Sequence, residues 1–351
     1  MSEALNPRVG ERHRVLVVGT GSVGTRHIRN LLALGAEVSA YSHRGLRQVA
    51  GVEAVRVFGT LEEALDNAPD AVVVGNDPDL HIDTALAAAR RGAHLFIEKP
   101  LSNSLRGVEA LAREIDGRQL VVETGFMLRF HPNLTWIKAC LERGELGELH
   151  YFRAQFGQYL PEWRPGTDYH RSYSARRGVG GVIFDLVHEL DIMGWLAGPI
   201  AGVTAMTGQT AALGIESESI AQIGVRFASG LLGQVHLDYV RPVYTRTLEI
   251  AGSRGVLGWD YSTGMVHLAE RDTAPRVVNQ VPSGFERNDM FLDYMRYFLR
   301  RLTDRSLQVA ASFDAGVAAL RAALACHQSA RTGAIAAPAH IPAEFSAAAA
   351  R

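Results

Sequence analysis

Continuous apolar runs alternate with amphipathic stretches through the first 126 residues. RVLVVG (14–19), DAVVVGN (70–76), HLFIEKP (94–100) and QLVVETGF (119–126) read as strands buried on both faces, and EVSAY (37–41) as a shorter one. TRHIRNLLALG (25–35) places Ile28, Leu31 and Leu32 at helical spacing and stops at Gly35, a residue suited to the left-handed position after a helix. Thr60 and Glu63 fit a capping box, Asp77-Pro78 fits the start of a helix reaching Arg91, and a further helix is predicted over about 104–115. Strand and helix alternating at this pace predict right-handed βαβ units and an α/β, doubly wound, mostly parallel sheet.

The pattern changes near residue 148. HYFRAQF (150–156), AQIGVRFA (221–228), LLGQVHLDYV (231–240) and TLEIAG (247–252) alternate or run apolar over strand lengths, with turns such as Ala228-Ser229-Gly230 between them. One long helix is predicted over about 181–197, and two more over 290–302 and 310–331. The second half is therefore expected to be an α+β domain with an open, mostly antiparallel sheet and helices on one face. We place the boundary at 127/128, giving domains 1–127 and 128–351. The tail after 335 lacks periodicity and is expected to be loose or a packing arm, packing back on the first domain.

Length and charge narrow the class. The 351 residues suffice for two domains, and 36 basic against 37 acidic side chains leave a net charge of −1. No basic field points to nucleic acid or anionic lipid. No apolar run reaches membrane-spanning length and the first residues lack a secretory core, so the expected location is cytoplasmic. Cys140 and Cys326, set in helical patterns, are expected to be small buried hydrophobes.

Gly19-Thr20-Gly21-Ser22-Val23-Gly24 follows a strand and opens a helix, where glycines permit a tight turn and the helix N-terminus faces a pyrophosphate. A dinucleotide is thus the expected cofactor. At the end of the second strand an NAD site usually carries Asp or Glu. Here Tyr41-Ser42-His43-Arg44 offers a hydroxyl and a guanidinium for a 2′-phosphate, which favours NADP over NAD.

Glu98-Lys99-Pro100 ends its strand at the carboxyl edge where open α/β sheets bind ligands. Asn76, Asp77, Pro78 and His81 follow another strand at the same edge. Gly180-Gly181 opens the helix that carries Asp185, His188, Glu189 and Asp191. With GTGSVGTRHIRNL, NDPDLH, GAHLFIEKPLS, GFMLRFHP, GGVIFDLVHELDIMGWLAG and TLEIAGSRGVLGWDY in this order, the chain resembles the Gfo/Idh/MocA oxidoreductases over residues 15 to about 330. The resemblance implies a Rossmann domain joined to an open-sheet domain, NAD(P)-dependent chemistry on sugars, cyclitols or related polyols, and a homodimer or homotetramer, which we assign to the C-terminal sheet.

It also implies Lys99 as the catalytic-site lysine, Asp185 as its acidic partner and His188 as acid/base. The family's common spacing puts the His four residues after the Asp; here it is three. On one continuous helix Asp185, His188 and Glu189 fall within about 100° of arc. A metal reading of these three fails for want of a second ligand cluster. Hydride passes between nicotinamide C4 and a carbinol carbon, so the protein must move the hydroxyl proton and stabilise an alkoxide, tasks suited to His and Lys.

QYLPEWRPGTDYHRSYSARR (158–177) sets Tyr159, Trp163, Tyr169 and Tyr173 among Arg164, Arg171, Arg176 and Arg177. Aromatic faces suit a sugar ring and arginine forks suit a carboxylate or phosphate, so the expected substrate is an anionic sugar derivative. Trp163, Arg164, Tyr169, Arg171, Tyr173 and Arg176 are the candidate contacts, with Arg129 and His131 added from after the sixth strand. Two alternatives stand beside this reading. One is transient nicotinamide redox serving epimerisation or glycoside cleavage, and the other is a cofactor-binding sensor without turnover.

Overall fold

The structure, a computed structural model, describes residues 12–43, 52, 55–164, 166–345 and 347. The first half builds β1 (Arg14–Val18), α1 (Ser22–Ala33), β2 (Glu37–Tyr41), β3 (Arg56–Phe58), α2 (Leu61–Asp66), β4 (Ala71–Val74), α3 (His81–Arg90), β5 (His94–Ile97), α4 (Val108–Arg118) and β6 (Val122–Thr124). The six strands form a parallel sheet in the order β3-β2-β1-β4-β5-β6, with Leu16 paired to Ser39 on one side and Val72 on the other. Val15–Val18 and Ala71–Val74 are all buried, as strands covered on both faces must be. The chain reverses direction between β1 and β4, so their carboxyl ends open a crevice.

The punctuation follows the sequence. After α1, Gly35 takes φ +83° while its amide bonds to Leu32 O and that of Ala36 to Leu31 O, a Schellman end. Thr60 and Glu63 exchange both bonds of the capping box. Other boundaries move. The helix expected over 104–115 begins at Val108, after Gly107 at φ +76°, and the strand expected over 119–126 contracts to β6. Asp77 precedes a short 3-10 turn (Pro78–Leu80) and makes no capping bond with its side chain, which turns to Arg176.

The second half contains α5 (Pro132–Glu142), β7 (Leu149–Gly157), α6 (Val182–Asp185), α7 (His188–Ala197), β8 (Ile200–Gly208), β9 (Ile220–Phe227), β10 (Leu232–Asp238), β11 (Thr245–Gly252), β12 (Gly255–Asp260), β13 (Met265–Ala269), β14 (Arg276–Gln280), α8 (Arg287–Thr303) and α9 (Phe313–Thr332). Eight strands order as β14-β13-β12-β11-β7-β10-β9-β8; every pair is antiparallel except β7 with β10. Period-2 alternation turns Ile223, Val225, Val235, Leu248 and Ile250 inward, toward the helical layer to which α7 and α9 belong. Gln155, Gln222, Gln234, His236, Thr247 and Glu249 line the opposite face around a shallow hollow of about 570 Å³. Strands β8 and β12 to β14 were not anticipated, because their partly exposed residues carry a weak apolar signal.

Two expectations are corrected. The single helix over 181–197 is two helices, broken at Leu186 (φ −101°, ψ 24°). The tail packs on the second domain: Ala336 bridges Val203 of β8, Arg331 lies over Phe345, and Ile341 and Phe345 are buried. The elements that do return to the first domain are α8, against α1, and the segment before α9. There Glu123 of β6 receives Tyr294, Arg301 and the amide of Ala311. Both cysteines are buried.

Candidate active site

The glycine loop is shaped by close approach. A Cβ on Gly19, at φ +98°, would lie 2.4 Å from Gly75 O, and one on Gly24 would lie 1.8 Å from Gly19 O. These two glycines pack the loop onto β4 and α1. At Gly21 nothing lies within 4 Å, and no side chain caps α1. The space in front of Gly21 is open and the first turn of α1 starts beside it with its dipole behind, which fits a pyrophosphate. Ser42 and His43 stand at the end of β2, with no carboxylate among residues 41–43. Arg44 lies outside the described residues.

At the β5 edge, Glu98 is buried and accepts from the main-chain amide of Lys99 (3.2 Å) while pairing with His27 Nε2 of α1 at 2.6 Å. Gly125 allows Glu98 to lie against the β6 end, since a Cβ there would meet Glu98 Oε2 at 2.9 Å. His81 is not free to bind a ligand. It is buried, with Nδ1 2.9 Å from Pro100 O and Nε2 3.0 Å from Asn76 O, so it braces the loops after β4 and β5. Asn76 reaches Thr84, leaving its own side-chain oxygen buried and unpartnered.

The helix break decides where Lys99 goes. In a continuous helix the amide of Glu189 would bond to Asp185 O; here it bonds to Leu186 O at 3.1 Å. The carbonyl of Asp185 accepts from Lys99 Nζ at 2.7 Å. The Asp185 carboxylate is buried; Oδ2 accepts from Tyr239 at 2.6 Å and Oδ1 has no partner. His188 opens the second helix beside Phe126, buried, with Nδ1 unpartnered. Glu189 is engaged by the protein: it grips Arg246 through two bonds of 2.7 and 3.0 Å, both side chains buried.

Electrostatics follows from burial. Desolvation pulls the Lys99 ammonium below the usual lysine range, against the opposing pull of Asp185 and Glu98 and with help from Arg164 and Arg246. Burial and the charges of Lys99, Arg246 and Arg287 hold His188 well below the usual imidazole range, so the ring is neutral. Burial and nearby Asp185 push the Tyr173 and Tyr239 phenols far up, which keeps both protonated donors. Behind α6, Glu218 accepts from the amide of Ile183 (3.2 Å) and its carbonyl from that of Val182; burial pushes this carboxyl up to about 8.

The 158–177 loop divides. Trp163 meets Tyr239 edge to face at 5.2 Å, so it backs the tyrosine that holds Asp185. The guanidinium of Arg164 lies 6.0 Å from the Tyr173 ring and has no acidic partner among the described residues. Other members of the expected substrate set are committed elsewhere. Tyr169 donates to Leu213 O, and Arg176 pairs with Asp77 at 3.0 Å and Asp79 at 3.2 Å, strapping the loop to the first domain. Arg171 is exposed. Arg129 is bound bidentately to Asp191 and to Ala310 O, and His131 caps α5 among Trp259, Tyr261 and Phe285. Arg129, Arg176 and the Tyr169 hydroxyl thus hold protein partners, while Tyr169 still lines a small cavity with Trp163 and Arg164.

Sequence reasoning missed Tyr239, Arg246 and Glu218. Strand alternation was a usable signal for the first two: Tyr239 shares parity with Val235 and Leu237, and Arg246 with Leu248 and Ile250, all inward-facing. Glu218 lies in a connection with no pattern to read.

A phosphate-ready glycine loop, a strand-end lysine and an Asp/His pair under an open sheet define a nicotinamide-dependent oxidoreductase. Residues 13–126 match the oxidoreductase family with an NAD-binding Rossmann fold, and residues 135–258 match the GFO/IDH/MocA C-terminal domain. The chain belongs to the Gfo/Idh/MocA family. It is 26% identical over 319 residues to a myo-inositol 2-dehydrogenase of Thermotoga maritima, covering 86% of each chain. Among solved structures it is similar to a levoglucosan dehydrogenase in complex with NADH (TM-score 0.83, 19% identity, 94% of this chain and 100% of that one). It is also similar to GenD2 from gentamicin A biosynthesis in complex with NAD (TM-score 0.79, 25% identity, 95% and 99%).

Proposed function

We propose that this protein is an NADP-preferring oxidoreductase that interconverts a carbinol and a ketone on a sugar or sugar derivative bearing negative charge. The observation that carries this reading is the set of three groups around the helix break. They are the Lys99 ammonium, fixed on Asp185 O, and the unpartnered Asp185 Oδ1 and His188 Nδ1. Buried polar atoms without partners are rare in native proteins, and two of them beside a catalytic-type lysine mark where substrate hydroxyls bind.

A nicotinamide nucleotide held by the glycine loop and the strand ends at Asn76 and Glu98 would supply the hydride acceptor in oxidation and the hydride donor in reduction. Lys99 donates to the substrate oxygen and stabilises the alkoxide as the carbon–hydrogen bond breaks. Neutral His188 takes the hydroxyl proton in oxidation and gives it back in reduction. Asp185, held through one oxygen by Tyr239, uses the other to orient a neighbouring hydroxyl. Trp163 and Tyr173 supply the aromatic wall, and Arg164 faces the anionic group. Gly19, Gly21, Ser22, Val23, Gly24, Asn76, Asp77, Pro78 and Glu98 line the cofactor side, with Ser42 and His43 toward the adenosine ribose; Arg44 keeps its role as a sequence-based expectation. The polar open face of the eight-stranded sheet supports a homodimer or homotetramer through that face.

Titration with NADPH and NADH tests the cofactor preference; we expect tighter NADPH binding, with Arg44→Ala losing that advantage. Equal affinities, or an unchanged preference in the variant, refute it. Lys99→Ala and His188→Ala should keep fold and cofactor binding while kcat falls by about 10²–10⁴. Losses below about tenfold would mean that other groups carry the proton.

A further inference from the structure

A second cationic site lies where α1 meets α8, outside the glycine loop and the Lys99 centre. Asn30 of α1 and Asn288 of α8 exchange side-chain hydrogen bonds of 3.0 and 3.4 Å, which fixes the two helices together. Arg26, one turn before Asn30, lays its guanidinium over the Phe291 ring at 4.5 Å. Arg287 stands one turn before Phe291 and therefore on the same face of α8. The fold thus sets two arginines about Phe291, Arg26 half-buried and Arg287 exposed, and neither forms an ion pair among the described residues.

The acids flanking Arg287 are engaged elsewhere: Glu286 and Asp289 bond to each other's amides in a capping box. Glu98, inward of Arg26, is taken by His27. Tyr261 and Phe285 both flank the His131 ring, at 5.4 and 5.3 Å, which sets Tyr261 near the start of α8, and Tyr244 lies 5.5 Å from Tyr261; each phenol can add a donor. Electrostatic coupling agrees with this placement. Desolvation and the neighbouring Arg287 both lower the Arg26 guanidinium, and Arg287 is also felt at Tyr261 and His188. Two like charges held together without a counter-ion are unfavourable unless an anion joins them.

We propose that Arg26 and Arg287, with Tyr261 and Tyr244, form an anion subsite at the rim of the catalytic cleft, and that it takes a phosphate or carboxylate of the substrate. The inference rests on the reading of the Lys99–Asp185–His188 centre as catalytic, and it moves much of the anion recognition from the 158–177 loop to the α1–α8 junction. Arg129 and Arg176 are already paired. Arg164 belongs to the separate 158–177 loop, so a substrate charged at one end would engage one site and a doubly charged substrate both.

Inorganic pyrophosphate is the probe, titrated calorimetrically into enzyme saturated with whichever of NADH and NADPH binds more tightly. Saturable binding that weakens with sodium chloride is expected, with a loss of about tenfold in Arg26→Gln and in Arg287→Gln. Arg113→Gln, on α4, should bind as the wild type does. Arg26→Lys and Arg287→Lys keep the charge and should retain most of the affinity, so a misfolded Gln variant does not leave the question open. The proposal is overturned if holoenzyme binds no pyrophosphate or if the Gln variants bind it unchanged. It is also overturned if the nicotinamide nucleotide weakens as much as pyrophosphate, which would assign the arginines to the cofactor. Because no turnover is read, a failure of the catalytic assignment shows separately, in the Lys99 and His188 variants.

Discussion

Glu218 should make this protein lose stability as pH rises through neutrality. Its carboxyl sits behind α6, with a side chain about 14% exposed, where the amide of Ile183 is its hydrogen-bond donor and His327 Nε2 stands 3.9 Å away. Burial pushes it up to about 8 from an ordinary value of 4.5, and the nearby Asp185 adds to the rise. His327, pulled down to about 4 by burial, is neutral above that and brings no compensating charge. Between pH 4.5 and 8 the folded state therefore holds a proton that the unfolded chain has released. Stability falls with rising pH in this window by about 1.4 kcal/mol per unit, or roughly 3 kcal/mol between pH 4.5 and 7. Glu218→Gln keeps the acceptor for Ile183, is neutral at every pH, and removes the dependence. Urea unfolding of both proteins at several pH values from about 5 to about 7.5 isolates the term, because all other titrations cancel in the difference. The variant should gain on the wild type steadily as pH rises. Parallel curves, or a variant less stable at neutral pH than at acid pH by the same margin as the wild type, refute the reasoning.

Two further outcomes follow from the same electrostatics. If Lys99 acts as an ammonium, activity falls as pH rises through its lowered value, so the alkaline limb of kcat/KM lies below 10.5; Arg164→Gln removes one of the lowering charges and should move that limb upward. An unmoved limb would separate Arg164 from the centre. Glu189→Gln leaves Arg246 buried beside a neutral partner and should cost about 3–5 kcal/mol in urea unfolding, much of it recovered when Arg246→Met is added to Glu189→Leu. A loss below about 1 kcal/mol would mean that water reaches the guanidinium.

Much of this protein was determined by its sequence alone. Apolar runs such as Val15–Val18 and Ala71–Val74 force burial on both faces, and with short helices between them only a parallel, doubly wound sheet accommodates that. The glycine loop was legible because Gly19 and Gly24 are needed for contacts within one βα unit, and the Gly35 and Thr60 signals are likewise local. The ordered motifs from GTGSVG to GWDY carried the family. Tertiary structure decided what each charged side chain does. Arg129, Arg164 and Arg176 look alike in sequence, yet two meet Asp191, Asp77 and Asp79 across 62 to 99 residues while Arg164 has no acidic partner among the described residues. His81 and His131 were spent in the same way on loops and caps. The break at Leu186 is invisible to helical periodicity, because its effect is to release the Asp185 carbonyl to a lysine 86 residues away. Periodicity reports which face of an element is buried; which polar group meets which depends on long-range packing, and that packing assembles the candidate site.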